Sequence, residues 1–96
     1  MTYYVYIIYS EISDSYYIGQ TIDLNSRIQE HNSGFYFGCT TKKACDWQFF
    51  FAIECNTRHQ ALQVEKHLKR MRKRKYYYDL KQYPEIAQAL LIKYRE

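Results

Sequence analysis

No apolar stretch in this chain is long enough to cross a membrane, and the N-terminus is not signal-like, so the sequence reads as neither membrane-spanning nor exported. Cysteines are few: Cys39, Cys45 and Cys55, odd in number and without a CxxC pair. That spacing argues against a disulfide framework and against a zinc knuckle, and reduced thiols in a cytoplasmic protein are the expectation. No internal repeat or low-complexity linker is visible, so the 96 residues are expected to form one domain around a single core. Tyrosine is abundant instead, twelve against five phenylalanines and one tryptophan. A polar tip on an apolar ring suits half-buried positions on a sheet or a binding surface.

The net charge of +4 hides a division. Residues 1–56 sum to −3 and residues 57–96 to +7. The densest stretch, Lys66 to Lys75, holds seven basic residues and no acid. Counterion release from nucleic acid would use such a block, and a solvated helix face would also produce it. What distinguishes this one is that it directly follows a carboxylate, Glu65.

The local patterns give an element order. Tyr3 to Tyr9 is β-branched and aromatic throughout, which predicts a central strand apolar on both faces. Ser10 to Ser15 is turn-like, and Tyr16 to Thr21 completes a hairpin. Asp23 suits the N-cap of a helix running to about Asn32, with Gly34 ending it. Phe35 to Asp46 is the longest irregular stretch, and Trp47 to Cys55 reads as a third strand. Thr57 with Gln60 fits a capping box that opens a second helix, directing Ala61, Leu62, Val64, Leu68 and Met71 inward. Tyr76 to Leu80 reads as a short helical turn, and Pro84 starts a final helix to Tyr94, with Ile86, Ala89, Leu90 and Lys93 helically spaced. The expected fold class is α+β, a small three-stranded antiparallel sheet flanked by helices.

Several side chains could carry chemistry. Glu65 falls inside the apolar arc of its helix, where carboxylates rarely sit unless paired or bound to a cation. A pair with Lys69, one turn on, would satisfy it, and so would a divalent ion, Mg²⁺ above others, since hard cations take oxygen donors. Arg27 and His31 are four apart on one helix face. The guanidinium could clamp a phosphate and the imidazole hold a water, or Arg27 could simply meet Glu30 or Asp23. Tyr6 and Tyr17 stay undecided on chemistry alone, because most of twelve tyrosines must be packing residues. Gly19 permits close approach to its strand.

The order Tyr4-Val5-Tyr6, ten intervening residues, Tyr17-Ile18-Gly19, Arg27, Glu30-His31-Asn32-Ser33-Gly34 and Glu65-Lys66 resembles the GIY-YIG nuclease superfamily, in particular its small stand-alone bacterial branch. The likeness spans about Tyr3 to Arg74 and leaves a helical C-terminal extension outside it. The resemblance implies cleavage of DNA phosphodiesters with one divalent ion, Mg²⁺ or Mn²⁺. By position, it makes Tyr17 the phenol that orients the attacking water and Tyr6 its hydrogen-bonding companion. Arg27 becomes the phosphate ligand, Glu65 the metal ligand, and His31 a group beside the phosphate. Tyr4 replaces the first motif's glycine, and Gln20 stands where some relatives have lysine.

The expected function is therefore a DNA endonuclease that nicks with structure preference in repair or processing. Lys42, Lys43, Lys66, Lys69, Arg70, Arg72, Lys73 and Arg74 are the candidate DNA contacts. Two rival readings are a non-catalytic nucleic-acid-binding module on the same fold and a structural protein with a Tyr-rich core. The sequence leaves monomer against weak dimer open.

Overall fold

A computed structural model describes residues 1–33 and 45–95. Gly34, most of the irregular stretch, Cys39, Lys42 and Lys43 lie outside the described residues. The element order is β1 (Tyr3–Ser10), β2 (Ser15–Thr21), α1 (Leu24–Asn32), β3 (Gln48–Cys55), α2 (Arg58–Met71), α3 (Arg74–Gln82) and α4 (Pro84–Lys93). The three strands form one antiparallel sheet in the order β2-β1-β3. The α+β class expected from the sequence is the one observed. No helix among the described residues is long and apolar enough to cross a membrane.

β1 is central, and its side chains divide between two cores. Val5 and Ile7 join Ile18, Ile53, Ala61, Val64, Leu68, Tyr77, Leu80 and Leu90, the core under α2, α3 and α4. Tyr6 and Ile8 join Trp47 on the opposite face, against Leu24 and Ile28 of α1. A strand buried on both faces needs apolar residues at every position rather than alternation. Tyr3–Ser10 meets that need with four consecutive buried residues from Val5 to Ile8. Between Ile7 and Ile8 the register with β3 slips by one, Ile7 opposite Phe51 and Ile8 opposite Phe49. The extra residue lets both Phe50 and Phe51 pack on the α2 face.

The hairpin and caps follow the sequence closely. Asp46 accepts from the backbone N–H groups of Glu11 and Ile12, each at 3.0 Å, and from Ser10 Oγ at 2.6 Å. Those bonds pin the turn and hold the Asp46 carboxyl below its usual range, the Ser10 hydroxyl first. Asp23 caps α1 by accepting from Ser26 N at 3.2 Å. Thr57 caps α2 through Gln60 N at 3.1 Å, but the Gln60 carbonyl accepts from Asn56 N rather than Thr57 N. Its amide instead donates to Leu91 O at 2.9 Å, so Gln60 ties the α2 start to α4.

Three details differ from the sequence reading. Leu62 is 42% exposed and does not face the core, because α2 presents the Ala61–Val64–Leu68 line and Leu62 lies to one side of it. The short turn at Tyr76–Leu80 is a nine-residue helix, α3, with Tyr77 and Leu80 buried three apart. In α4 the inward residues are Ile86, Ala87, Leu90 and Leu91, not Ala89. The C-terminal helices are clasped to α2 by His67, whose ring nitrogens lie 3.1 Å from the hydroxyls of Tyr94 and Tyr76. Truncating Leu68 to Ala should cost about 3 kcal/mol in denaturant unfolding, against roughly 0.5 kcal/mol or less for Leu62→Ala. Equal costs would mean that α2 is rotated from the face described.

Candidate active site

Tyr6 and Gly19 are cross-strand partners in β1 and β2. A Cβ built on Gly19 would lie 2.6 Å from the Tyr6 hydroxyl and 2.8 Å from its ring carbon. Only a residue without a side chain lets the Tyr6 phenol lie flat across β2. Crossing there, it reaches α1 and shares a 2.8 Å hydrogen bond with His31 Nε2. The close approach expected at Gly19 is therefore made by a tyrosine of this same chain. His31 is held at the helix end next to Asn32, whose side chain accepts from Trp47 N at 2.6 Å and donates to Trp47 O at 3.0 Å. This paired brace to the start of β3 was not legible beforehand. Its one signal is an amide residue closing a helix.

Tyr17, the neighbour of Ile18 on β2, packs its ring 4.9 Å from that of His31 and 6.4 Å from that of Tyr6. Tyr6 and His31 are both about 98% buried, whereas Tyr17 is half-buried. Burial, with the Arg27 guanidinium adding to it against the opposing pull of Glu30, pushes the His31 imidazole down to about 4. At neutral pH this is an uncharged ring. Tyr6, Tyr17 and His31 are thus brought into one aromatic and hydrogen-bonded cluster on the α1 face.

Glu65 lies on the other side of the sheet, on α2. Its Oε1 accepts from Gln20 Nε2 at 3.2 Å, and its Oε2 meets Lys69 Nζ at 2.8 Å. The pairing with Lys69 anticipated from the i,i+4 spacing is present, and Gln20 is a second partner. Arg27, on α1, has its Nε 3.6 Å from Glu30 Oε1. Arg27 and Gln20 line one cleft of about 270 Å³ with Tyr3, Thr21, Ile22 and Arg58. Gln20 thereby links the two chemical halves: one end of it lines the Arg27 cleft, and its amide holds Glu65.

The residues present suit one hard divalent ion. Among the described residues no cluster of three His, Cys, Asp or Glu exists, so Glu65 stands as a lone carboxylate with the Gln20 amide beside it. One carboxylate with retained water is a usual setting for Mg²⁺. A cation already sits on that carboxylate, the exposed Lys69 ammonium, which marks the position as one that takes positive charge.

Several of the candidate DNA-contacting residues that are described have partners within the chain. Lys66, Lys69, Arg70, Arg72, Lys73 and Arg74 are all exposed. Lys69 is turned to Glu65, Arg70 reaches the Tyr94 hydroxyl at 3.5 Å, and Arg74 forks onto Asp14 through its side chain at 2.8 Å and its carbonyl at 2.6 Å. Of the tyrosine run after them, Tyr77 is buried and donates to Leu68 O at 3.1 Å.

A family model for the GIY-YIG catalytic domain matches residues 2–77. The chain belongs to the GIY-YIG family. That is a nuclease family, and the match covers both tyrosine strands, α1 and α2. The fold is also similar to the solution NMR structure of a UPF0213 protein from Bacillus halodurans, at 25% identity, with a TM-score of 0.52 over 86% of each chain. No match was found among curated proteins.

Two imidazoles, buried His31 and half-buried His67, set a pH dependence of stability. His31 titrates near 6.5 when unfolded and about 4 when folded, so the unfolded chain binds the proton first. The resulting stabilisation is complete above pH 6.5 and is lost as pH falls toward 4, by about 3 kcal/mol at most. His67, lowered chiefly by burial with Lys93 and Arg70 adding to it, acts in the same direction. Unfolding free energy measured from pH 7.5 to 4.5 should fall, and His31→Gln should be less stable at pH 7.5 with a shallower slope. An unchanged slope in that variant would contradict the burial of the His31 ring.

Proposed function

We propose that the protein is a DNA endonuclease that hydrolyses one strand at a time, using one divalent metal ion. The observation that carries this reading is the Tyr6–His31–Tyr17 cluster, a buried polar pair backing a half-exposed phenol, in a chain of a nuclease family. Tyr17 orients the attacking water. Tyr6 and His31 fix the Tyr17 ring, with an uncharged imidazole packed next to it. Arg27 binds the scissile phosphate and offsets its developing negative charge. Glu65, oriented by the hydrogen bond from Gln20, would hold Mg²⁺ or Mn²⁺, which when bound supplies further charge neutralisation at the phosphate. The exposed lysines and arginines of α2 and the α2–α3 corner hold flanking backbone without reading bases, which fits structure preference and a role in repair or processing.

One observation favours a second reading, a nucleic-acid-binding module without catalysis. Both Glu65 oxygens are already satisfied by Gln20 and Lys69. That reading requires salt-sensitive DNA binding indifferent to divalent metal. The two separate in one assay, conversion of supercoiled plasmid and flapped oligonucleotides to nicked products with Mg²⁺, Mn²⁺ or chelator. Glu65→Gln, Arg27→Ala and Tyr17→Phe should each lower the nicking rate by about 100-fold or more while leaving the fold intact. Activity in Glu65→Gln equal to wild type, or nicking that persists in chelator, would overturn the metal-dependent assignment.

A further inference from the structure

The cleft beside Arg27 holds a second guanidinium to which the proposed chemistry gives no task. Arg58 is the first residue of α2 and lines that cleft together with Arg27, Tyr3, Gln20, Thr21 and Ile22. None of these six is acidic. Arg58 is exposed, and among the described residues no carboxylate pairs with it. The first turn of α2 holds no acidic residue either. A cation there faces the positive end of the helix dipole, which disfavours it. Helix stability therefore gives no reason for an arginine at this position, and neither does an ion pair.

Two guanidiniums line this cleft, from helices on opposite faces of the sheet, and Glu30, 3.6 Å from Arg27, is the one carboxylate paired with either among the described residues. An anion carrying two negative groups matches the excess positive charge there, and guanidiniums suit phosphate oxygens by geometry as well as charge. Arg27 comes from α1 and Arg58 from α2, and between them lies the end of β2 at Thr21 and Ile22. We propose that Arg58 grips the phosphate adjoining the one held by Arg27, so that the cleft takes two consecutive phosphates of a single nucleic-acid strand. This rests on the nuclease reading and deepens it: the strand backbone runs across the end of β2, from the α1 side to the α2 side, past Gln20 and Glu65.

The test measures binding of the full chain to single-stranded and duplex oligonucleotides in chelator, across a salt titration. Arg58→Gln should weaken binding about 5- to 10-fold at low salt and reduce the slope of log affinity against log salt by about one phosphate's share, roughly 0.7 for single strands and 0.9 for duplex. Arg58→Lys should restore most of the slope. Lys81→Gln removes the same charge from a residue stacked over Phe50 on the β3 side, and should stay close to wild type in both readouts. Because the helix dipole disfavours Arg58, the melting temperature of Arg58→Gln should equal or exceed that of wild type. Affinity and slope in Arg58→Gln matching those of Lys81→Gln would overturn the inference and leave the nuclease reading standing. A melting temperature several degrees lower would also overturn it, by assigning Arg58 to the fold. A wild-type chain that neither binds nor nicks any of these DNAs would remove both.

Discussion

The placement of β1 in the middle of a three-stranded sheet constrains everything else in this molecule. Both of its edges are paired and both of its faces are covered, so alternate residues must serve different cores. Val5 and Ile7 are committed to α2, Tyr6 and Ile8 to α1. A slip of one residue would exchange the two sets and send the Tyr6 hydroxyl into the packing of Val64 and Leu68, away from His31. The register that buries the sheet correctly is thus also the register that delivers Tyr6 to His31.

That constraint has a cost for a catalytic site. Tyr6, Tyr17 and His31 are on the α1 face, whereas Glu65 rises from α2 on the other, and a covered sheet stands between them. The two faces meet around the β2 edge, which pairs with no further strand among the described residues. Two β2 residues make the edge usable. Gly19 leaves the gap through which the Tyr6 ring crosses, and Gln20, pointing the opposite way, carries a hydrogen bond to Glu65 while lining the cleft of Arg27. Period-two alternation along β2 is what lets adjacent residues serve opposite faces.

Much of this was legible in the sequence because it is local. The unbroken apolar run of β1, the Asp23 and Thr57 caps and Pro84 at the start of α4 each depend on residues a few positions apart. Legibility failed where a residue's surroundings come from distant segments. Leu62 fits an apolar arc on a helical wheel, but the arc is wider than the surface the sheet offers, and Leu62 is left at its rim. The helix over Arg74–Gln82 was underestimated because its N-cap, Lys73, makes no side-chain bond and only Tyr77 and Leu80 are fully buried. For the candidate site, residue identities were visible through spacing and family likeness. The Asn32 brace to Trp47 and the Gln20 contact with Glu65 were not, since they join segments 15 and 45 residues apart.

The Glu65–Lys69 pair was one of two competing explanations for a carboxylate in an apolar arc, and its presence does not settle the matter against a metal ion. An i,i+4 pair whose ammonium is more than half exposed contributes about 0.5 kcal/mol, because water solvates the lysine nearly as well when it swings away. A divalent cation carries twice the charge and exchanges little of its own hydration for one carboxylate oxygen. Displacing Lys69 is then a small term in ion binding. Leaving Glu65 with neither partner would be the larger penalty, since its side chain is only 15% exposed. Lys69 reads most economically as a readily displaced partner that balances the Glu65 charge in the folded chain.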